Sequence, residues 1–275
     1  MIGYLNNQKP VFAFNIWDIE SAKAVIDAAG KRKQNVILQT SSSVYTKLPQ
    51  NQLREFVDSY SCDWGIKAWL HLDHCRDIGI VQDAIVHQWD SVMIDASDKS
   101  IEENIQDTNY VTEIAHKNGI SVEAEVGQVK GVEEEIVVTQ SFVASKEDID
   151  LFLTQTNVDM LAVAFGNAHG IYRSEPVLHY DLIEYIAEKS DIPFVVHGGS
   201  GLSEEVLRYL LSISNVKKIN ISTDLKLAHR QGIADAYQSG FLNKDGFQPA
   251  KVVECVDCAI EKAAGRKFDL LMEEE

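Results

Sequence analysis

The sequence predicts an α/β fold, a (β/α)8 TIM barrel formed as a single domain over residues 1–275. Three observations lead there. Short β-type runs alternate strictly with helix-type segments, which implies parallel strands joined by right-handed helical crossovers. Eight such units in 275 residues suit a closed barrel, which takes about 250 residues. Polar residues collect at the C-terminal ends of the runs, where barrels place their chemistry. The rival is a doubly wound open sheet, whose dinucleotide-binding form wants G-x-G-x-x-G after the first strand. Here "WDIESA" follows, without a glycine.

The first run, "VFAFNI" (11–16), carries Asn15 near its end and leads into the helical pattern "DIESAKAVIDAAGKRK". "NVILQTS" (35–41) ends in Ser41, before "NQLREFVDSY". "AWLHLD" (68–73) ends in Asp73, with His74 just beyond, before "IGIVQDAIVHQ". "SVMIDAS" (91–97) carries Asp95 and Ser97 and precedes "IEENIQDTNYVTEIAHKNG". "SVEAEVG" (121–127) carries Glu123 and Glu125; a loop with Glu133, Glu134 and Glu135 follows, then the helical "SKEDIDLFLTQT". "MLAVAFG" (160–166) opens into "GNAHG", with His169, and then "HYDLIEYIAEKS". "FVVHGG" (194–199) holds His197 and precedes "SEEVLRYLLSIS". "KINIST" (218–223) holds Asn220, Ser222 and Thr223, and "DLKLAHRQGIADAYQSG" follows. Several helical segments start on Ser, Asp or Glu and stop near Gly, Lys or Asn, as helix termini prefer. A last helix is expected over about 250–264, followed by the acidic "MEEE".

Composition narrows the function. The chain has 42 acidic against 25 basic residues, a net charge of −17. Such a surface repels nucleic acid and anionic membranes, so any phosphate must be bound locally. No apolar run approaches the roughly 20 residues of a membrane helix. The N-terminus lacks a basic segment followed by an apolar one, so no secretory signal is expected. Four cysteines are too few for a disulfide scaffold at this length, which points to a reducing, cytoplasmic setting. The C-x-x-C of Cys255 and Cys258 lies in "AKVVECVDCAIEKAAG" and reads as part of a packing helix.

Alternation along the third run turns Leu70 and Leu72 toward the helices and His71 and Asp73 into the barrel, with His74 at the mouth. On its own an H-x-D-H is an ordinary polar strand end. His169 and His197, however, end two further strands, and three imidazoles with an open position are the donor set of a catalytic zinc site. His87, His116, His179 and His229 fall in helical segments and read as surface or packing residues. "HGGSG" and "NISTD" form a second constellation. Glycines admit close backbone approach, successive amides make an anion nest, and the loops after strands seven and eight are the usual barrel phosphate site. Ser200, Ser222 and Thr223 add hydroxyls, although G-G-S-G by itself is only a turn. The glutamate run at 133–135 is either a solvated face or a glycine-flanked arm that brings a carboxylate base over the mouth. A lysine Schiff base is disfavoured, because "MLAVAFG" has no lysine and Lys217 and Lys218 sit at the start of the eighth run.

The pieces "FAFNI", "HLDH", "MIDAS....EEN", "SVEAEVG", "GNAHG.Y", "VVHGGSGL" and "KINISTDLK" occur in the order of the class II, metal-dependent ketose-bisphosphate aldolases. The chain resembles that family over nearly its whole length. The resemblance implies that His74, His169 and His197 hold a catalytic Zn2+, with a monovalent cation as a further ligand. Asp73 would be the acid/base that handles the hydroxyl or carbonyl at the cleaved carbon, and Glu133 would take a proton from the carbon beside the ketone. Gly170, Gly198, Gly199, Ser200, Asn220, Ser222 and Thr223 match positions around the phosphate and dihydroxyacetone unit, and Asn15 and Ser41 further substrate positions. Asp95 and Glu125 match carboxylates that serve a second or alternative metal position in some relatives. The implied enzyme is a cytoplasmic homodimer or homotetramer of carbohydrate metabolism, glycolysis included. It would cleave fructose or tagatose 1,6-bisphosphate to dihydroxyacetone phosphate and an aldehyde.

Three departures stand out. Ser43 replaces an expected glycine, Lys130 takes the first position of an expected Gly-Gly before Glu133, and the chain ends "GRKFDLLMEEE" rather than in small residues. Arg266 or Lys267 would then be the candidates for a distal phosphate. These departures keep open a same-chemistry aldolase for another acidic or deoxy sugar phosphate, and a non-enzymatic binding protein on this fold.

Overall fold

The computed structural model describes residues 1–7, 9–129, 131–133, 136–138, 142–170, 172, 176–240, 242 and 247–272, with backbone only for 132–133 and 136–138. Its barrel strands are β1 (Val11–Asn15), β2 (Val36–Ser41), β3 (Ala68–Cys75), β4 (Ser91–Ile94) and β5 (Ser121–Val126). A short antiparallel pair, β6 (Gly131–Glu133) and β7 (Ile136–Val138), comes next. The barrel then resumes with β8 (Met160–Val163), β9 (Phe194–Val196) and β10 (Val216–Ile221). The barrel closes in the order β1-β10-β9-β8-β5-β4-β3-β2, all neighbours parallel. Each predicted run contributes one of these strands.

Helix α1 (Ile2–Leu5) plugs the bottom, and α2 (Ile19–Lys31), the short α3 (Ser42–Tyr45), α4 (Gln50–Trp64), α5 (Ile78–Val86) and α6 (Ile101–Lys117) follow. The rest are α7 (Lys146–Gln155), α8 (Tyr180–Lys189), α9 (Glu204–Ser212), α10 (Thr223–Gln238) and α11 (Pro249–Met272). Side-chain caps explain where several begin. Asp18 and Ser100 form capping boxes with Ser21 and Glu103, while Ser145 and Ser203 accept from Asp148 N–H and Val206 N–H.

Strand alternation divides the interior into two layers. Val11, Ala13, Ile37, Trp69, Met160, Ala162 and Val195 pack at the bottom with Leu5 of α1. Above them the interior holds Met93 and the buried polar groups Asn15, Gln39, His71, Asp73, Glu123, Glu125, Lys218 and Asn220. Outward residues such as Leu70 and Leu72 join the larger core between barrel and helices, as alternation predicts.

Two segments differ from expectation. The glutamate segment read as a loop pairs as the β6–β7 hairpin, because Val132, Val137 and Val138 flank its charges. The last helix runs to Met272, beyond the expected 264, because Phe268, Leu270 and Leu271 are buried. Phe268 packs on Phe12 and Phe14 of β1, with ring centroids 6.4 and 5.3 Å away. Burying such a side chain is worth about 1.5–3 kcal/mol, enough to carry the helix onward.

Candidate active site

β3 delivers two adjacent side chains to the same space. Asp73 points inward by alternation, so its neighbour should point out. His74 instead adopts φ 45°, and the pairing of β3 with β4 shifts register between Leu72 and Cys75. Its N–H leaves the ladder and meets Met93 Sδ at 3.4 Å. This local bulge turns the imidazole over the mouth. His71 lies deeper, fully buried, with Nδ1 2.7 Å from Ser91 Oγ. Cys75 is buried in the outer core, its thiol 3.3 Å from the Asp77 carbonyl. Burial pushes that thiol up to about 11, which marks an inert packing cysteine.

The barrel brings His74, His169 and His197 together. Each offers a ring nitrogen within 4.8 Å of the others. Ring centroids lie 4.5 Å apart for His74–His197, 5.0 Å for His74–His169 and 5.9 Å for His169–His197. Carboxylates back two of the rings. Asp95 Oδ2 lies 3.1 Å from His74 Nδ1, and Glu125 Oε2 lies 2.6 Å from His197 Nδ1. Such backing fixes ring orientation in metal sites. Burial works against the charge of Asp95, but the hydrogen bonds from His74 and Ser97 prevail and hold its carboxyl far below the usual range. Burial and nearby His74 favour a neutral His197, but Glu123 and Glu125 outweigh them and push it up to about 9. Three imidazoles, two of them backed by carboxylates, fit a divalent metal of borderline softness.

Asp73 sits beneath them as an acceptor of three amides. Asn15 Nδ2 and Gln39 Nε2 donate to Oδ2 at 3.0 and 2.9 Å, and Asn220 Nδ2 donates to Oδ1 at 3.2 Å. The register accounts for this: Asn15 pairs with Gln39, Ser41 with Asp73, and Ala13 with Asn220.

Beside the histidines lies the anion nest. Gly198 has φ 70°, and a Cβ there would sit 2.1 Å from the Ala168 carbonyl. Gly199–Gly201 form one 3-10 turn, and Ser200 Oγ accepts from Ser222 N–H and Asp224 N–H at 3.1 and 3.2 Å. The two loops are thereby tied where α10 starts, beside a pocket lined by His169, Gly170, Gly198, Ser200, Asn220, Ser222 and Thr223. A helix N-terminus and a glycine turn together suit a phosphate. Asn167 Nδ2 donates to the His197 carbonyl at 2.8 Å, and Tyr172 OH accepts from Ala168 N–H at 2.7 Å.

Ser41 lies at the end of β2, 3.2 Å (Oγ–Oγ) from Ser43. The backbone of Glu133 is on β6, after Gly131, which packs so close to His169 that a Cβ would lie 2.3 Å from its carbonyl oxygen. The Glu133 side chain, Lys130, Glu134 and Glu135 lie outside the described residues. Lys267 pairs with Asp224 at 2.9 Å, and with Arg266 it lines a groove of about 1080 Å3 between α10 and α11 that reaches Ser200. The remaining histidines sit on helices or at their ends: His87 and His116 pair with Asp83 and Asp159, and His229 lies edge-on to Trp17.

Sequence reading missed Gln39, Glu123 as a partner of His197, Lys218 and Lys226. Gln39 sits in an apolar run, where an inward amide is the only signal. Lys226 lines the nest one turn into α10, a spacing that a helix starting at Thr223 makes readable.

A closed barrel with a three-histidine cluster and an adjoining anion nest defines a metal-assisted enzyme of phosphorylated substrates. Residues 5–275 match the family described as fructose-bisphosphate aldolase class-II, and the chain belongs to it. It is a metal-dependent aldolase, an aldehyde-lyase, and its family acts on sugar phosphates. One relative is the sulfofructosephosphate aldolase of Alkalicoccus urumqiensis, 34% identical over 230 residues, 83% of this chain and 80% of that protein. Another is the D-tagatose-1,6-bisphosphate aldolase subunit GatY of Klebsiella oxytoca, 30% identical over 251 residues, 90% of this chain and 87% of that protein. The crystal structure of the YdjI aldolase from Escherichia coli K12 superposes with a TM-score of 0.79 at 27% identity, covering 95% of this chain and 91% of that one. Among the described residues, no helix is long and apolar enough to cross a membrane.

Proposed function

We propose that this enzyme is a zinc-dependent aldolase that reversibly cleaves a phosphorylated ketose of the fructose or tagatose 1,6-bisphosphate class to dihydroxyacetone phosphate and an aldehyde. The observation that carries the reading is the juxtaposition of the three-histidine cluster with the nest at Gly198–Ser200 and Ser222–Thr223. His74, His169 and His197 would hold the ion, with Asp95 and Glu125 as outer support or an alternative position. When bound, the ion supplies a Lewis acid for the oxygens of the ketose, so that no Schiff base is needed. The nest, with Gly170 and the hydroxyls of Ser222 and Thr223, holds the first phosphate. Asp73 moves the proton of the hydroxyl at the cleaved carbon, and Asn15, Gln39 and Asn220 aim it. Glu133 exchanges the proton at the carbon beside the ketone; its place in the hairpin sequence supports that role. The whole chain would work as one aldolase domain, in the cytoplasm, as a homodimer or homotetramer.

A second reading has its own support. The relative from Alkalicoccus urumqiensis is named for a sulfonated sugar phosphate, and this chain carries Arg266 and Lys267 in the groove beside the nest. The aldehyde half would then bear a sulfonate or another acidic group in place of the distal phosphate. Comparing kcat/KM for fructose 1,6-bisphosphate, tagatose 1,6-bisphosphate and a 6-sulfo ketose 1-phosphate separates the two. Preference for a bisphosphate supports the first reading and preference for the sulfonate the second. Metal-loaded protein that cleaves none of them refutes both.

A further inference from the structure

One layer below the three histidines the barrel holds a buried cation that the cleavage chemistry does not use. Lys218 is fully buried on β10, and its Nζ lies 2.7 Å from Glu123 Oε2 on β5. The other oxygen of Glu123 lies 3.0 Å from His197 Nε2. His71 Nε2 approaches Glu123 Oε2 at 3.5 Å. Glu123, His71 and Asp73 also form a second group that brings ligand atoms within 4.8 Å of one another, all three buried. The chain therefore holds two stacked clusters with metal-ligand chemistry, the upper one of imidazoles and the lower one mixed.

Two carboxylates in a dry interior demand positive charge. In the lower cluster an ammonium group supplies it. Lys218 reaches Glu123 through the barrel interior, from a strand three places away. A divalent ion in the lower cluster would have to displace that ammonium, and it would take Asp73 away from its amides. We propose that Lys218 is a built-in cation that fills the lower cluster and confines the catalytic metal to the three-histidine level. This rests on the metal centre proposed above. It adds that metal placement is governed by a side chain that never touches the substrate.

The test is metal stoichiometry, read on protein stripped with chelator and titrated with Co2+, together with the visible absorption of the cobalt form. Lys218→Met keeps an unbranched side chain, one atom shorter, and removes its charge. The expected result is one more Co2+ equivalent per chain than the unmodified protein binds, with an added or altered absorption band. In the double variant Lys218→Met, Glu123→Gln the lower carboxylate is neutral, and the extra equivalent should disappear. If K218M takes up the same number of ions with an unchanged spectrum, the inference is wrong. If K218M does not fold when metal-free, refolding in excess Co2+ decides: recovery with the extra equivalent supports the inference, and failure to recover overturns it. Unmodified protein that binds no Co2+ would instead defeat the three-histidine reading, so the two failures are distinguishable.

Discussion

Gly198 offers the sharpest test of how the site is assembled. It follows His197 directly, and its backbone is at φ 70°, where an L side chain is strained. Replacing it with alanine costs about 1–2 kcal/mol for that conformation alone. The new Cβ would also lie 2.1 Å from the Ala168 carbonyl oxygen and 2.8 Å from its carbon, so one loop must shift. Overpacking of this kind adds about 1–3 kcal/mol, for a total of about 2–5 kcal/mol. Gly170 is the control. Its φ is 91°, but a Cβ there meets nothing within 4 Å, so Gly170→Ala should carry only the conformational part. At about 2–4 °C per kcal/mol, Gly198→Ala should melt well below Gly170→Ala. It should also weaken metal binding, because the loop that moves carries His197 and Ser200. The assay is thermal unfolding of the three proteins, metal-free and metal-loaded, with metal affinity measured by chelator competition. Equal melting temperatures for the two variants would refute the claim that the Gly198–Ala168 approach holds the site together.

Gln39→Leu removes one charge-assisted hydrogen bond to Asp73, worth about 1.5–3 kcal/mol; kcat/KM should fall about 10- to 100-fold with metal content unchanged, and steady-state rates beside metal analysis check it. Asp95→Ala removes the carboxylate behind His74 Nδ1 and should weaken metal affinity by about 10–100-fold; an unchanged dissociation constant would mean that Asp95 does not orient the ring. Asp27 accepts from Lys23, Tyr60 and Trp64 at 2.9, 2.7 and 3.0 Å. Burial opposes its charge, but these donors prevail and lower its pKa. Its stabilisation is therefore complete above the unfolded value of about 3.9 and is lost as pH falls below that value through the folded one. Asp27→Asn should flatten the acid limb of a plot of melting temperature against pH, and an unchanged slope would contradict this.

What the sequence could tell divides by the range of the cause. The eight strands were legible because each run, its turn and its polar end are local. The histidine triad was legible for the same reason: barrel strands deliver their ends to one mouth, so three histidines at strand ends meet without knowledge of register. Lys218 was not. Its place at the start of the eighth run suggested distance from the chemistry, and only the strand order of the barrel turns β10 and β5 to one interior so that it reaches Glu123. Gln39 was missed because its function lies in pairing β2 with β1 and β3, which no single run shows. The hairpin at 131–138 was read as a loop because glutamates masked its short β-branched stretches. The last helix was ended early because the Phe12 and Phe14 surface that receives Phe268 lies far away in sequence.

The adjacency of Asp73 and His74 explains why this site needs backbone strain. On the proposed reading a metal ligand and an acid/base group must both face the substrate, yet neighbouring residues on a flat strand face opposite ways. Two residues of separation would satisfy the pleat but would place one group a layer deeper, as His71 and Asp73 illustrate. The chain instead keeps the two adjacent and breaks the ladder. The register shift after Leu72 and the φ of 45° at His74 rotate that one imidazole inward. A positive φ at a residue other than glycine costs about 1–2 kcal/mol. The compensation is visible around it: Met93 Sδ meets the displaced N–H, Asp95 holds Nδ1, and the ring packs against His169 and His197. Glycine would relieve the backbone strain but would delete the imidazole, and a regular β conformation at 74 would send that ring into the outer core on the side of Leu72. Strain at this position is the condition under which one strand end can carry both functions.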